Sequence, residues 1–301
     1  MIVEEKEYRM LNIPSGDLRI SVTNGCNMRC TYCHNEGQTE TEVKYLSVNE
    51  VKTIVCNAMK FGLHKVRITG GEPLIHPNIE EILEVLRDEV CFSNVGLNTN
   101  GVYGEKLLLI CERGLVNRVV VGIDYYDCEI SKKSCIGVSS KQIKETVLQL
   151  KKMGVNVEVA VVFVQNSEEI FALVQWGLEN QLVIKVIEKS DFWDHSFSEQ
   201  PYNKLLLDIQ KRFQLKLGIT ADLHEYYLSN GKTRVKFFQS HCNRNECGIC
   251  QRLHMRVSCD GMAMPCINRA DLTFPLLQGD FDENMNRAIA NLGNRPGNDV
   301  V

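Results

Sequence analysis

The sequence lacks the features that would assign it to a nucleic-acid-binding, membrane-spanning or secreted class. Its 34 Lys and Arg do not exceed its 38 Asp and Glu, and the net charge of −4 provides no basic excess for binding nucleic acid. No run of about 18 apolar residues is present, which predicts no transmembrane helix. The N-terminus has neither the basic region nor the apolar core of a secretory signal, so we expect a cytoplasmic protein.

Cysteine, in contrast, is abundant, with 13 residues in a chain of 301. The cytoplasm keeps thiols reduced, so clustered cysteines there are more typical of metal sites than of disulfides. Eight of the cysteines fall into two groups, one near each end of the chain. The other five are scattered and are expected to act as small apolar side chains: Cys56, Cys91, Cys111, Cys128 and Cys135.

Short β-rich segments alternate with helical patterns over the first 190 residues. Strands are expected at 18–23, 65–69, 93–98, 118–124, 156–164 and 182–188, and helices at 51–61, 77–87, 105–113, 141–153 and 168–180. Strands this rich in Val and Ile are typical of a parallel sheet buried on both faces. Six such units fit a partial barrel or an open doubly wound sheet, and we expect an α/β fold of the partial (β/α)6 barrel type.

The alternation stops near Ser190. A further amphipathic helix is expected at 201–214, and the remainder of the chain is rich in Cys, Gly and Asn. We therefore expect a barrel domain at residues 1–195 and a C-terminal extension at residues 196–301.

The first cysteine group follows the first expected strand and has the spacing C-x3-C-x2-C, formed by Cys26, Cys30 and Cys33. Three thiolates within eight residues can converge on one soft metal centre. Structural zinc and iron–sulfur cubanes both usually have four protein ligands, so three cysteines leave a coordination position open for chemistry. The alternatives are a zinc loop with a ligand from elsewhere in the chain and a chance spacing without function.

This spacing resembles the signature of the radical S-adenosylmethionine (SAM) superfamily, including an aromatic residue, Tyr32, before the last cysteine. The resemblance implies a [4Fe–4S] cluster with three irons on the cysteines and the fourth on the methionine part of SAM. It also implies reductive cleavage of SAM to a 5′-deoxyadenosyl radical that abstracts hydrogen from the substrate.

Three later motifs resemble SAM-binding segments of the same superfamily. Gly70, Gly71 and Glu72 form a GGEP motif with Pro73, and the resemblance implies that the glycines contact the methionyl amine. Thr99 and Asn100 end the third expected strand, and Asp124 ends the fourth. The alternatives are a strand–helix turn for GGEP, an Asn-Gly turn after Thr99, and a solvated carboxylate or helix cap for Asp124.

The second cysteine group contains Cys242, Cys247, Cys250, Cys259 and Cys266. Its C-x2-C pair also fits a zinc ribbon. The segment is similar to the C-terminal region of the GTP cyclase family of molybdenum-cofactor biosynthesis. That similarity implies an auxiliary [4Fe–4S] cluster on Cys247, Cys250 and Cys266. Either Cys242 or Cys259 could supply a fourth ligand, which would close the last iron to substrate.

The resemblance to the cyclase family extends to basic positions that would bind an anionic substrate such as a nucleotide. These positions are Arg19, Lys65, Arg67, Lys185, Arg252 and Arg256, and each could instead be a surface charge. Three departures are evident. Asn156 stands where the family has Lys, His254 replaces a basic residue of the family, and the final residues lack the two glycines of the cyclase tail.

The sequence therefore predicts a radical SAM enzyme with two [4Fe–4S] clusters, SAM as cofactor and a reductant such as flavodoxin or ferredoxin. The expected substrate is a small anionic, nucleotide- or sugar-like molecule in cofactor or natural-product biosynthesis. A radical SAM peptide maturase is one alternative, and a zinc-stabilised binding protein is an alternative of another class.

Overall fold

The computed structural model describes residues 16–30, 32–38, 42–90, 94–126, 139–190, 200–219, 226–243 and 254–292. These residues group into two compact units. The first unit draws on Met1–Gly25, Asn35–Val95 and Gly248–Val301, and the second on Cys26–His34 and Gly96–Cys247. The domain boundary expected near residue 195 lies outside the described residues and stays a prediction.

Within the described residues the chain forms twelve strands and seven α-helices. The strands are β1 (Asp17–Ser21), β2 (Lys65–Thr69), β3 (Val95–Thr99), β4 (Arg118–Gly122), β5 (Asn156–Phe163), β6 (Val183–Glu188), β7 (Lys216–Ile219), β8 (Tyr226–Ser229), β9 (Arg234–Phe238), β10 (Met255–Val257), β11 (Met262–Met264) and β12 (Phe274–Pro275). The helices are α1 (Val48–Ala58), α2 (Ile79–Glu84), α3 (Gly104–Glu112), α4 (Ser140–Lys152), α5 (Ser167–Glu179), α6 (Gln200–Phe213) and α7 (Phe281–Ala290).

The six strands and six helices expected from the sequence are all present, with ends that differ by a few residues. The start of α1 shows how a local sequence signal makes an element predictable. Ser47 accepts a hydrogen bond from the Glu50 N–H, and the Glu50 carboxylate accepts one from the Ser47 N–H at 2.7 Å. Such a capping box satisfies two orphan donors and stabilises a helix start by about 1 kcal/mol. Among the described helices, none is both long and apolar enough to cross a bilayer.

In the first unit, β1 pairs in parallel with β2 on one side and with β10 on the other. β11 then pairs antiparallel with β10, and β12 with β11. Leu18, Ile20 and Ile68 alternate along the strands and are fully buried on one face. Arg19 and Arg67 occupy the intervening positions and therefore lie on the opposite face.

In the second unit, β3, β4, β5, β6 and β9 form a parallel run, which β8 and β7 extend antiparallel. The expected α/β class with a largely parallel sheet is thereby confirmed. The sequence analysis assigned no strands after residue 188, and it therefore did not anticipate β7 to β12. These strands have two to five residues, so they are too short to give a clear hydrophobic period.

Candidate functional site

The three cysteines of the first group form no disulfide, and all three lie in the second unit. Cys26 and Cys30 are partly buried and Cys33 is exposed. The sulfur of Cys26 accepts a hydrogen bond from the Met28 N–H at 3.4 Å, and the Asn100 amide nitrogen lies 4.0 Å from the same sulfur. Hydrogen bonds of this kind to thiolate ligands tune iron–sulfur clusters.

The three thiols are close enough to influence one another. Burial, together with the charges of Asp124, Cys33 and Cys26, raises the pKa of the Cys30 thiol to about 12, while a hydrogen bond with Tyr32 acts in the opposite direction. Three thiolates in such a place are stable together only beside positive charge. A metal centre supplies that charge and deprotonates its coordinating thiols outright.

The donor set of this loop consists of three cysteine thiols, and soft thiolate ligands suit both zinc and iron–sulfur clusters. Structural zinc takes four protein ligands, whereas a cubane binds each cysteine to a different iron and can leave one iron open. Among the residues that the structure describes, no group of three His, Cys, Asp or Glu side chains is placed to hold a single metal ion.

Tyr32, inside the cysteine loop, donates its hydroxyl hydrogen to Asp124 at the end of β4. The other carboxylate oxygen accepts the Val162 N–H at 3.4 Å, and the Asp124 carbonyl accepts the Asn166 amide at 3.3 Å. Burial raises the pKa of Asp124 and, with the Asp124 charge, that of Tyr32. Asp124 is therefore neither a solvated carboxylate nor a helix cap; it anchors the cysteine loop.

Asn100, which directly follows β3, contacts the cysteine loop, and Thr99, the last residue of β3, supports the adjacent turn. The Asn100 amide donates to the Asn27 side chain at 2.7 Å within the cysteine loop. Thr99 is buried, and its hydroxyl oxygen accepts the Gly101 N–H at 3.1 Å. This bond supports the Asn-Gly turn, which was the alternative interpretation of the motif.

Asn98 was missed by the sequence analysis. Its side-chain oxygen is buried and has no hydrogen-bond partner among the described residues. Side chains alternate along a strand, so Asn98 and Asn100 share one face while Thr99 lies on the other. The alternation was visible in the sequence and could have placed Asn98 with Asn100.

The GGEP motif lies in the first unit against the backbone that precedes Cys26. Gly71 donates its N–H to the Thr23 carbonyl at 2.8 Å, and Glu72 donates to the Gly25 carbonyl at 2.8 Å. A Cβ on Gly71 would lie 2.1 Å from the Gly25 oxygen, and one on Gly70 would lie 2.4 Å from the Thr23 oxygen. The glycines are thus required by close backbone packing. Glu72 is fully buried and caps the Leu74 N–H at 3.0 Å.

Three of the expected substrate contacts form a row across the first unit. Arg256, Arg19 and Arg67 are register partners on β10, β1 and β2, and Lys65 starts β2 beside Asp17. Arg67 pairs with Asp17 at 3.4 Å. The Nε of Arg19 is buried and has no hydrogen-bond partner among the described residues. The structure therefore brings these basic groups together on one face.

Glu36 lies against this row and was not anticipated from the sequence. Its carboxylate pairs with Arg19 and, at 2.7 Å, with Arg256, and it accepts the Thr69 hydroxyl at 3.3 Å. Glu36 comes three residues after Cys33 in the sequence. A single acidic residue in a polar segment has no periodic pattern that would have predicted its contacts.

Lys185 lies in the second unit, on β6. Its ammonium group stands 4.5 Å from the centre of the Phe238 ring, and its register partners are Ala160 and Lys236. Asn156 is exposed at the first position of β5. Neither residue is brought by a described contact to the cysteine loop.

The second cysteine group is described only in part, because Cys247, Cys250 and Arg252 lie outside the described residues. The sulfur of Cys266 accepts the Asn268 N–H at 3.4 Å. Cys242 belongs to the other unit. Cys259 is buried in the turn between β10 and β11, where burial raises its pKa to about 11 and its thiol accepts the Asn24 N–H.

Cys259 and Cys266 lie at opposite ends of the β10–β11 hairpin. Val257 pairs with Ala263, so Cys259 is two residues beyond this pair at the turn and Cys266 is three residues beyond it at the open end. The expectation that Cys242 or Cys259 supplies a fourth ligand to the auxiliary cluster stays a prediction.

Comparison with known proteins agrees with the fold and the cysteine loop. Residues 20–176, more than half of the chain, match the family model described as the Radical SAM superfamily. The chain belongs to the radical SAM superfamily and is a radical SAM enzyme, a class that uses a [4Fe–4S] cluster and SAM.

Within this superfamily, the chain is similar to curated GTP 3',8-cyclases. The chain is 28% identical over 273 residues to the "Probable GTP 3',8-cyclase" of Methanococcus maripaludis strain C7, a match that covers 87% of this chain and 89% of the relative. It is 27% identical over 281 residues to the GTP 3',8-cyclase of Chlorobaculum tepidum, covering 88% and 83% of the two chains. The expected resemblance to the cyclase family is confirmed as a similarity.

Solved structures share the fold at low sequence identity. Streptococcus suis SuiB bound to its precursor peptide SuiA superposes with a TM-score of 0.70 at 14% identity, over 96% of this chain and 67% of SuiB. The enzyme anSMEcpe with bound AdoMet gives a TM-score of 0.62 at 16% identity, over 92% and 82% of the two chains. These likenesses support the partial-barrel fold expected from the strand–helix alternation.

Proposed function

We propose that Cys26, Cys30 and Cys33 hold the [4Fe–4S] cluster at which SAM binds, and that the chain acts on a small anionic, nucleotide-like substrate. Bound together, the cluster and SAM supply reductive cleavage to a 5′-deoxyadenosyl radical that abstracts hydrogen from the substrate. The observation that carries the proposal is the cysteine loop itself, which has three cysteines that form no disulfide and is held to Asp124 by Tyr32 and to Asn100 by Asn27.

The residues around the loop hold it in shape. The Tyr32–Asp124 hydrogen bond fixes the middle of the loop to β4, and the Asn100–Asn27 bond fixes its start to the residue after β3. In the first unit, the Gly70–Gly71 backbone sets the path of residues 23–25, which lead into Cys26. A loop that is preorganised in this way holds its metal-binding side chains in position without further rearrangement.

For SAM, the residues we propose are Tyr32, Gly70, Gly71, Glu72, Asn100 and Asp124, with Thr99 in a supporting turn. Asn98 is added because its buried side-chain oxygen needs a donor. A buried polar atom without a partner is costly, so a ligand hydroxyl or amine that donates to Asn98 would be stabilising.

For the substrate, this face of the first unit provides four cations, Arg19, Lys65, Arg67 and Arg256, against the carboxylates of Asp17 and Glu36. This excess of positive charge favours an anion. The unpartnered Nε of Arg19 is a donor that a phosphate or carboxylate could accept. Lys185 and Arg252 are proposed as further contacts.

An auxiliary [4Fe–4S] cluster on Cys247, Cys250 and Cys266 completes the proposal, with flavodoxin or ferredoxin as electron donor. If it forms without Cys259, replacing Cys259 with serine should leave the iron content near eight per chain, as expected for two cubanes. Replacing Cys266 with serine should lower it towards four. Iron and sulfide analysis after anaerobic reconstitution makes the comparison, and equal iron loss in both variants would contradict this ligand set.

A substrate panel tests the proposed function. The reconstituted enzyme is incubated anaerobically with SAM and dithionite, alone and with GTP, other nucleotides, sugar phosphates or short peptides, and 5′-deoxyadenosine is measured by mass spectrometry. We expect a rise of at least about tenfold with an anionic nucleotide, because substrate binding couples cleavage to hydrogen abstraction. A rise with peptides alone would favour the maturase alternative.

A further inference from the structure

Glu36 is a buried acid at the centre of the expected anion site. Its carboxylate accepts hydrogen bonds from Arg19, from Arg256 and from the Thr69 hydroxyl. The residue is only 8% exposed. Charge-assisted bonds from two guanidinium groups fix the carboxylate firmly, unlike a solvated surface acid.

The two arginines that contact Glu36 are direct neighbours in the sheet. Arg19 on β1 and Arg256 on β10 are register partners, so their side chains leave adjacent strands on the same face. Like charges opposite each other on neighbouring strands repel. A carboxylate that bonds to both removes this repulsion and holds both guanidinium groups in one place.

The backbone around Glu36 is strained into that arrangement. Asn35, Glu36 and Gly37 have φ values of 44°, 54° and 81°, a left-handed run that glutamate rarely adopts. Gln38 holds the run to β1 through the Ser21 hydroxyl at 2.8 Å, and to the β10–β11 turn through the Cys259 N–H at 2.9 Å. Strain of this kind persists where the surroundings over-determine the conformation, often at functional sites.

One donor of the arginine pair stays available in the described structure. The Nε of Arg19 is buried without a hydrogen-bond partner, although its Nη2 is engaged by Glu36. A guanidinium held by one edge presents its remaining donors in a fixed direction. A phosphate or carboxylate group can then bind without first ordering the side chain.

We propose that Glu36 is a positioning residue, which holds Arg19 and Arg256 together as one donor surface for a phosphate or carboxylate group of the substrate. It acts through the arginines and does not itself contact the substrate. The proposal rests on the proposed function for the class of substrate, but anion binding can be measured apart from catalysis.

Inorganic pyrophosphate is the probe, titrated calorimetrically into the reconstituted enzyme with SAM. Glu36→Gln keeps the shape of the side chain but turns an amide N–H towards one arginine, so we expect pyrophosphate binding to weaken by at least about tenfold. Glu36→Asp keeps the charge but has a shorter side chain, so its affinity for pyrophosphate should lie between those of the wild type and Glu36→Gln. Glu89→Gln, the same change at an exposed ion pair with Lys52, should leave binding unchanged.

A double-mutant cycle separates positioning from a merely structural role. In an Arg19→Gln background, Glu36→Gln should weaken pyrophosphate binding less than in the wild type, because one of the two guanidinium groups that it positions is gone. Iron content and circular dichroism check that each variant is folded, and the Asp variant decides the matter if Glu36→Gln does not fold.

Three results would overturn the inference: no pyrophosphate binding by the wild type, tighter binding after Glu36→Gln, or fully additive effects in the cycle. Tighter binding would mean that Glu36 competes with the anion. Failure of the proposed function would appear elsewhere, as an absence of nucleotide-dependent 5′-deoxyadenosine, and would leave these binding results intact.

Discussion

Replacing Gly71 with alanine is expected to destabilise the protein by about 3 kcal/mol and to reduce its iron content after reconstitution. The added Cβ would stand 2.1 Å from the Gly25 oxygen and 2.7 Å from the Asn24 oxygen. Both are backbone atoms and cannot rotate away, so the cost should reach the upper end of that seen for overpacking, about 1–3 kcal/mol. The displaced segment leads directly into Cys26. Denaturant unfolding of the apoprotein and iron analysis of the reconstituted protein measure the two effects.

Gly122→Ala is the matched control for this prediction. A Cβ there would meet only the Thr99 oxygen, at 3.8 Å, and Gly122 is not among the glycines with positive φ. Alanine restricts the unfolded chain, so the control should be neutral or more stable by up to about 1 kcal/mol. Equal destabilisation by both substitutions would contradict the steric account of the GGEP motif.

Glu158→Gln is expected to destabilise the second unit by about 3 kcal/mol. Glu158 is 5% exposed on β5 and bonds to Arg118 at 2.5 Å and to Lys236 at 2.7 Å, whose side chains are 27% and 22% exposed. Removing the carboxylate that these two mostly buried cations share leaves a buried charge imbalance, which costs about 3–5 kcal/mol for buried pairs. We take the lower end because both cations retain some solvent.

The pH dependence of this effect has a definite sign. Burial alone would raise the pKa of Glu158, but the charges of Arg118 and Lys236 outweigh burial and lower the pKa. A carboxylate whose pKa is lower in the folded state stabilises above its unfolded pKa, about 4.3, and this stabilisation is lost as pH falls through the folded value. The difference in unfolding free energy between wild type and Glu158→Gln should be constant above about pH 5 and shrink below about pH 4.

Glu168→Gln is the control for the Glu158 prediction. Glu168 is 85% exposed and lies 3.8 Å from Arg212, so its loss should change the unfolding free energy by less than about 1 kcal/mol. Urea unfolding across the pH range makes the comparison. A difference that grows as the pH falls would contradict the proposed role of Glu158. Because Arg118 begins β4 and Glu158 lies near the start of β5, the network supports the fold and not the cysteine loop.

The alternating fold could be predicted from sequence because each early element carries its own local signal. The Ser47–Glu50 capping box marks α1, and the apolar run of β4 marks a buried parallel strand. β10 and β11 carry no such signal, since each has three residues and gains its place by pairing with β1 or with each other. Tertiary pairing of this kind has no counterpart in a window of sequence.

The candidate residues that belong to a sequence motif could be proposed from the sequence. Residues whose contacts depend on partners far away in the chain could not. The cysteine spacing and the superfamily resemblance led to Cys26, Tyr32 and Asn100 as candidate site residues. Glu36 gains its role only from Arg256, 220 residues away. The position of Cys259 likewise depends on tertiary pairing, because the register of β10 and β11 places it in the turn of that hairpin.

The central claim is that the loop of Cys26, Cys30 and Cys33 supports cleavage of SAM. The most direct measurement is 5′-deoxyadenosine formation by the anaerobically reconstituted wild type and by Cys30→Ala, with SAM and dithionite. We predict 5′-deoxyadenosine from the wild type and none above background from Cys30→Ala, because one iron loses its protein ligand. Equal amounts from both proteins, or none from an iron-loaded wild type, would contradict the account.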